Sequence, residues 1–297
     1  MYTLLRLVFV ALLVAALGAG AFWVLTRPGS VDTAAFASLQ GDAGHGKWVF
    51  DAGGCASCHA APGASGEAKL TLAGGKSFAS DFGTFLAPNI SPDPKQGIGA
   101  WSLVDLANAM QRGVSPEGRH YYPAFPYTAY IHATPQDIAD LWAYLQTLPP
   151  SDTPSQPHQV GFPFNISRGI GLWKALYLTP DFVQTSTDEE VLRGRYLVEA
   201  LGHCAECHTP RNALGGLEKA QWLTGAQLAG GAGRAPGLTP DHLDWSAEEI
   251  AEYLSSGFTP DFDSAGGEMT DVVENTAKLS QPDRLAIAAY LKSLPTP

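Results

Sequence analysis

The chain has 297 residues, a length that suits one large domain or two domains of average size. Its 45% hydrophobic and 10% aromatic residues are enough to bury real cores, which excludes wholesale disorder. Lys and Arg number 18 against 29 Asp and Glu, a net charge of −11, and this balance excludes nucleic acid as a partner because phosphate binding needs clustered basic residues.

The N-terminus carries a long apolar run. Residues 7–25 contain no polar side chain, and a helix of 19 such residues can cross the hydrocarbon core of a bilayer. Small residues at 19–21 would also suit cleavage of a signal peptide. The run continues past them, however, and Trp23 lies where an interfacial aromatic residue is expected. We therefore predict a membrane anchor over 1–27, with a cleaved signal peptide as the alternative, and a linker over 28–40.

The four cysteines of the chain form two copies of the pattern C-x-x-C-H, 149 residues apart. The first copy holds Cys55, Cys58 and His59, and the second holds Cys204, Cys207 and His208. Two thiols one helical turn apart can add to the two vinyl groups of haem, and the adjacent histidine then becomes the proximal ligand of the iron. The pattern therefore predicts two covalently bound haem c groups.

Two other uses of paired cysteines fit the sequence less well. Structural zinc would favour both pairs close together, and a thioredoxin-like redox motif does not require the histidine. Covalent attachment of haem takes place outside the cytoplasm, so we expect the body of the protein on the periplasmic side of the bacterial inner membrane. The anchor then crosses the membrane once, with its N-terminus in the cytoplasm.

Both motifs belong to an internal repeat. In each half a helical segment leads into the C-x-x-C-H motif, and a glycine-rich loop ending in Ala-Pro-x-x-x-Pro-Asp follows it. A further helix opens at a Trp-Ser pair, where Ser102 in the first half and Ser246 in the second are predicted N-caps. The last helix of each half begins at Thr134 or Ser280.

This order predicts an all-α fold with two tandem haem-binding domains, over 41–149 and 188–297. Residues 150–187 between them form a linker that starts rich in Pro and Ser and contains an apolar stretch at 161–178. That stretch favours packing between the domains, and docking of a partner or of the membrane surface is the alternative.

With these features the chain resembles the membrane-associated dihaem class I cytochrome c proteins, which are similar to the cytochrome subunits of periplasmic alcohol and gluconate dehydrogenases. The resemblance rests on the two C-x-x-C-H motifs and on three loops, Ala-Pro-Asn-Ile-Ser-Pro-Asp at 87–93, Gly-Ile-Gly-Ala-Trp-Ser at 97–102 and Tyr-Pro-Ala-Phe-Pro-Tyr at 122–127. It implies two tandem class I cytochrome c domains and a role in electron transfer.

The resemblance also bears on the sixth ligand of each iron. Electron carriers of this class bind haem iron through His and Met, and Met269 follows its proximal histidine by 61 residues, so we expect it to ligate the second haem. The similar subunits have a Met in the first half where this chain has Phe125, which cannot bind iron. For the first haem we favour His120, also 61 residues after its proximal histidine, and keep His132, Met110 or an open site as alternatives.

These features predict a carrier of single electrons between a periplasmic dehydrogenase, or a quinol-oxidising respiratory component, and a downstream acceptor. Two histidine ligands would give the first haem the lower potential, so electrons would run from the first domain to the second. The second domain has a net charge of −9 against −3 in the first, which favours docking of a basic soluble cytochrome or an oxidase. Arg211 is a candidate partner of a haem propionate.

We expect no catalytic residues beyond the irons and their ligands. The alternative function is that of a dihaem enzyme, of the peroxidase or thiosulfate dehydrogenase type, acting at an open or weakly ligated first haem.

Overall fold

The structure, a computed structural model, describes residues 1–231 and 233–296. Helices dominate these residues, which confirms the all-α prediction. The helices are α1 Tyr2–Leu25, α2 Ala43–Ala52, α3 Cys55–His59, α4 Leu103–Arg112, α5 Tyr127–Tyr130, α6 Pro135–Leu145, α7 Ile170–Tyr177, α8 Glu189–Arg195, α9 Ala205–His208, α10 Ala247–Ser256, α11 Met269–Thr276 and α12 Gln281–Lys292. The strands are β1 Ser77–Ser80, β2 Gly83–Leu86, β3 Gln159–Val160, β4 Ala226–Gln227 and β5 Arg234–Ala235.

The strands form two small antiparallel sheets that lie in loops. In the first sheet β2 lies between β1 and β3, and Gly83 pairs with Val160. This strand pairing holds the segment between the domains against the first domain. In the second sheet β4 pairs with β5, with Ala226 opposite Ala235.

Helix α1 contains the apolar run and has no buried residue. Among the described residues it is the one helix whose length and composition would allow it to cross a membrane, with a mean hydropathy of 2.5. The segment that follows, expected as a linker, packs on the first domain. Val31 and Phe36 are buried in its core, and the backbone N–H of Val31 donates to Asn108 Oδ1 at 2.9 Å.

In each domain the first helix crosses the last helix at a glycine. A Cβ atom at Gly46 of α2 would lie 1.9 Å from the carbonyl oxygen of Asp140 in α6, and one at Gly194 of α8 would lie 1.8 Å from that of Ala286 in α12. Only glycine lets the two helix backbones approach this closely. Both halves of the repeat therefore contain a close-packed helix pair that supports the C-x-x-C-H motif.

The predicted N-caps are confirmed. Ser102 and Ser246 each accept a hydrogen bond from the backbone three residues on, and an acidic side chain at that position bonds back to the serine N–H, so both form capping boxes. Thr134 and Ser280 cap the last helices of the two domains. The Thr134 hydroxyl accepts a hydrogen bond from the backbone N–H of Asp137, and the Ser280 hydroxyl accepts one from that of Asp283.

The distance along the chain from the helix crossing to the C-x-x-C-H motif is one residue longer in the second domain. Gly46 precedes Cys55 by nine residues, whereas Gly194 precedes Cys204 by ten. The structure absorbs the extra residue in a π-helical turn, Tyr196–Leu201, that continues α8. A π-helical turn accommodates one extra residue without ending the helix. Both motifs therefore follow their helices at an equivalent point.

Helix α7 joins the two domains. The Trp173 ring lies edge-on to Tyr127 of the first domain, with ring centres 6.3 Å apart, and its Nε1 donates to the carbonyl oxygen of Leu214 in the second at 2.9 Å. This face of the apolar stretch packs between the domains, whereas Leu172 and Leu176 remain exposed.

We predict that Gly194→Ala lowers the free energy of unfolding by about 1–3 kcal/mol, because the added methyl group forces α8 away from α12. Chemical denaturation followed by circular dichroism measures the change. Gly161→Ala is the matched control, since a Cβ atom there meets nothing within 4 Å. Equal stability of the two variants would contradict the close-packing argument.

Candidate haem-binding sites

Each C-x-x-C-H motif forms a short helix directly after a left-handed residue. Helix α3 begins at Cys55 after Gly54, whose φ is 59°, and α9 begins after Cys204, which follows His203 with a φ of 40°. The left-handed residue turns the chain sharply out of the preceding helix. Within each motif the helical turn places the two cysteines on one side, as thioether attachment to one haem requires. None of the four cysteines forms a disulfide.

The proximal histidines are oriented by backbone carbonyls. Nδ1 of His59 donates to the carbonyl oxygen of Pro88 at 2.9 Å, and Nδ1 of His208 donates to that of Pro236 at 2.8 Å. Because the proton is held on Nδ1, Nε2 keeps its lone pair for a metal. Burial lowers the pKa of both histidines, which favours the neutral ring that ligation needs. The donor set at each motif therefore fits a haem c.

Both prolines belong to the Ala-Pro-x-x-x-Pro-Asp loops of the repeat. The loop thus has a defined role, which is to present one carbonyl oxygen to the histidine of its own domain. Asn89 secures the first loop, since its Nδ2 donates to the carbonyl oxygens of Ser151 and Thr153 at 2.9 and 2.8 Å.

The segments that lead into the two motifs lie against each other across the domain interface. A Cβ atom at Gly53 would lie 3.9 Å from the carbonyl oxygen of Leu201, and one at Gly202 would lie 3.8 Å from that of Ala52. These are equivalent contacts, since both pairs of positions differ by 149 residues, the offset of the motifs. The interface is therefore isologous, with the same surface used by both halves.

Side chains repeat this reciprocity. Asn275 of the second domain donates to Ser57 Oγ inside the first motif at 2.7 Å, and Thr128 of the first domain donates to Glu206 inside the second motif at 3.1 Å. The distal helix of each domain, α5 or α11, thus packs on the haem-binding motif of the other domain.

A second reciprocal pair of hydrogen bonds joins helices of the two domains. Trp48 Nε1 in α2 donates to Asp283 at the start of α12 at 3.1 Å, and the Tyr196 hydroxyl donates to Asp137 at the start of α6. Each pair joins the first helix of one domain to the last helix of the other.

Met269, the predicted ligand of the second haem, is the first residue of α11 and is half-buried against the core. Lysines of the first domain hold the surrounding turn. Lys76 Nζ lies 2.6 Å from the Glu268 carboxylate, and Lys69 Nζ lies 2.6 Å from that of Glu274. The position of Met269 therefore depends on the first domain as well as on its own. Its ligation of iron stays a prediction.

His120 is buried between the end of α1 and helix α7. Its Nε2 donates to the Thr26 carbonyl oxygen at 2.9 Å, and its Nδ1 accepts from Lys174 Nζ at 3.0 Å. Burial lowers the pKa of His120, and a neutral ring suits one donated and one accepted bond. Ligation would break one of these bonds, and the structure therefore does not favour it, although the sixth ligand of the first haem stays a prediction.

The other candidates also have well-defined surroundings. His132 stacks on Phe182 with ring centres 4.2 Å apart, and burial lowers its pKa to about 4. Met110 is buried in the core of the first domain, and Phe125 lies in a cluster of tyrosine rings. Arg211 forms an ion pair with Glu206 and donates to the Gly215 carbonyl oxygen at 2.8 Å, so its pairing with a propionate also stays a prediction.

We predict that His120→Ala leaves the visible spectrum of both haems unchanged but lowers the midpoint of thermal unfolding. Its two buried hydrogen bonds are lost, at about 1–3 kcal/mol for each group left unpaired. Met269→Ala is the positive control and should remove the near-infrared charge-transfer band of methionine-ligated ferric haem. A changed spectrum of the first haem in His120→Ala would show that this histidine is the ligand.

Comparison with known proteins agrees with this geometry. The Cytochrome c family matches residues 43–149 and 191–295. Over 279 residues, 94% of each chain, the protein is 58% identical to a "Diheme cytochrome c-type" protein of Cereibacter sphaeroides. It is 39% identical to a nicotinate dehydrogenase subunit of Pseudomonas putida; the match covers 84% of this chain and 21% of that subunit. It is 36% identical to the fructose dehydrogenase cytochrome subunit of Gluconobacter japonicus; the match covers 84% of this chain and 52% of that subunit. The chain belongs to the cytochrome c family and carries two covalently bound haem c groups.

Proposed function

We propose that this dihaem cytochrome carries single electrons from a periplasmic dehydrogenase, or a quinol-oxidising respiratory component, to a downstream acceptor, with its two haems in series. Electron transfer itself follows from the family and from the relatives, which are named as a cytochrome and as dehydrogenase subunits.

The reciprocal contact of the segments that lead into the two C-x-x-C-H motifs is the observation that carries the proposal. Haem chemistry supplies the one-electron step when the group is bound. The chain contributes the placement, because the segments that lead into the two motifs touch at Gly53 with Leu201 and at Gly202 with Ala52. An electron that enters at one domain therefore has a short route to the other.

Location at the membrane is supported by α1. Its 24 residues rise about 36 Å at 1.5 Å per residue, more than the hydrocarbon thickness of a bilayer. We place α1 across the inner membrane with its N-terminus in the cytoplasm, so that the haem domains lie in the periplasm where haem c is attached.

A dehydrogenase as the donor is supported by the names of the relatives. For the acceptor, the charge of −9 on the second domain suits a basic soluble cytochrome or an oxidase with a basic surface. The same charge is the reason for placing the second haem on the acceptor side. The relatives lend no support to the alternative of a dihaem enzyme.

We expect electron transfer from the reduced protein to a basic soluble cytochrome c to slow as the salt concentration rises, because salt screens the acidic second domain. Stopped-flow absorbance measures the rate. Glu248→Gln with Glu252→Gln, two exposed positions on α10, should lower it at low salt. Glu67→Gln with Asp81→Asn in the first domain is the matched control, and an equal effect of both pairs would contradict docking at the second domain.

We also expect carbon monoxide to leave the spectrum of the reduced protein unchanged, since a pure carrier keeps both irons six-coordinate. Rapid-mixing spectroscopy provides the measurement. Fast binding at one haem would contradict a pure carrier and would favour the enzyme alternative.

A further inference from the structure

An exposed apolar face lies on the segment between the domains. We define it by five side chains, Phe162, Phe164, Ile166, Leu172 and Leu176, whose exposed fractions are 81, 48, 50, 43 and 68%. Leu172 and Leu176 are one turn apart on α7, on the side away from the domain interface. Large exposed apolar residues concentrated in one short segment mark a surface that contacts a partner or a membrane.

Residues beside this face are fixed to the end of α1. Arg168 donates from Nη2 to the Trp23 carbonyl oxygen at 2.6 Å and from Nε to Thr26 Oγ1 at 2.9 Å. Its guanidinium also lies 4.1 Å from the centre of the Trp23 ring. At Gly171 an added Cβ atom would lie 2.7 Å from the Thr26 Cα, so α7 starts in direct contact with the end of α1.

A buried network fixes the same junction from the other side. Lys174 Nζ donates to the carbonyl oxygens of Arg112 and Gly113 at 2.6 and 2.7 Å, and to His120 Nδ1. His120 in turn donates to the Thr26 carbonyl oxygen, and Thr26, His120 and Lys174 are all buried. The network joins α1, α7 and the first domain, so the body does not swing freely from the anchor.

The depth of the face follows from this junction. When α1 spans the membrane, Trp23 and Thr26 lie at the periplasmic boundary of the bilayer, where aromatic and amphipathic side chains concentrate. Arg168 and Gly171, which contact Trp23 and Thr26, lie at the same level. Each side chain of the apolar face lies within six residues of Arg168 or Gly171 along the chain. Apolar side chains at this level gain free energy by entering the boundary between headgroups and acyl chains.

We propose that the apolar face of Phe162, Phe164, Ile166, Leu172 and Leu176 rests on the outer surface of the lipid bilayer, as a second membrane contact beside α1. This inference rests on the proposed anchoring by α1. Continuity with α1 favours lipid over a protein partner, because the face is held at the exit of the helix. Two contacts then fix the orientation of the haem domains on the membrane.

The test uses the full-length holoprotein in liposomes of phosphatidylcholine and phosphatidylglycerol. Phe162→Cys and Leu176→Cys each introduce one free thiol for a nitroxide spin label, because haem attachment consumes the native cysteines. Power saturation of the reduced protein compares collisions with oxygen, which concentrates in lipid, and with a water-soluble nickel chelate. Phe262→Cys is the matched control, since Phe262 is 95% exposed and flanked by two aspartates. Leu13→Cys reports on α1.

We expect labels at 162, 176 and 13 to favour oxygen and the label at 262 to favour nickel. Labels at 162 and 176 that behave like 262, while 13 remains in lipid, would overturn the inference and leave the anchor intact. Labels at 162 and 176 protected from both reagents would indicate a protein contact and would also overturn it. A label at 13 in water would overturn the proposed anchoring itself.

Discussion

The backbone just before each C-x-x-C-H motif packs against its counterpart in the other domain, through Gly53 with Leu201 and Gly202 with Ala52. This contact brings the distal helices α5 and α11 within reach of the opposite motif, where Thr128 donates to Glu206 and Asn275 donates to Ser57. In the proposed function, electron transfer between the haems therefore depends on the domain interface as much as on the haem sites.

Much of this architecture is predictable from the sequence because its signals are local. The C-x-x-C-H pattern and the serine N-caps each need only a few consecutive residues, and the structure agrees with the caps. The repeat itself follows from comparing one half with the other. The orienting carbonyls of Pro88 and Pro236 could not be predicted in the same way, since every residue has a carbonyl group and only the fold selects which one the histidine meets.

His120 as the sixth ligand of the first haem stays a prediction that rests on a spacing of 61 residues. Equal spacing to Met269 suggests an equivalent role, yet the surroundings of His120 come from Thr26 and Lys174, which lie 94 and 54 residues away in the chain. The reciprocal bond from Trp48 to Asp283 spans 235 residues and likewise leaves no local pattern. Long-range partners decide what a titratable side chain does, and a single sequence does not show them.

The isologous interface has a consequence for the origin of the chain. A surface that pairs with its own equivalent is self-complementary, so one half alone would fit a second copy of itself. Duplication and fusion of the gene for such a self-pairing monohaem protein would preserve the contact at once, with no new surface to evolve. The two halves could then diverge. The second half has the extra residue in the π-helical turn, and the first half has Lys69 and Lys76, which pair with Glu274 and Glu268 of the second.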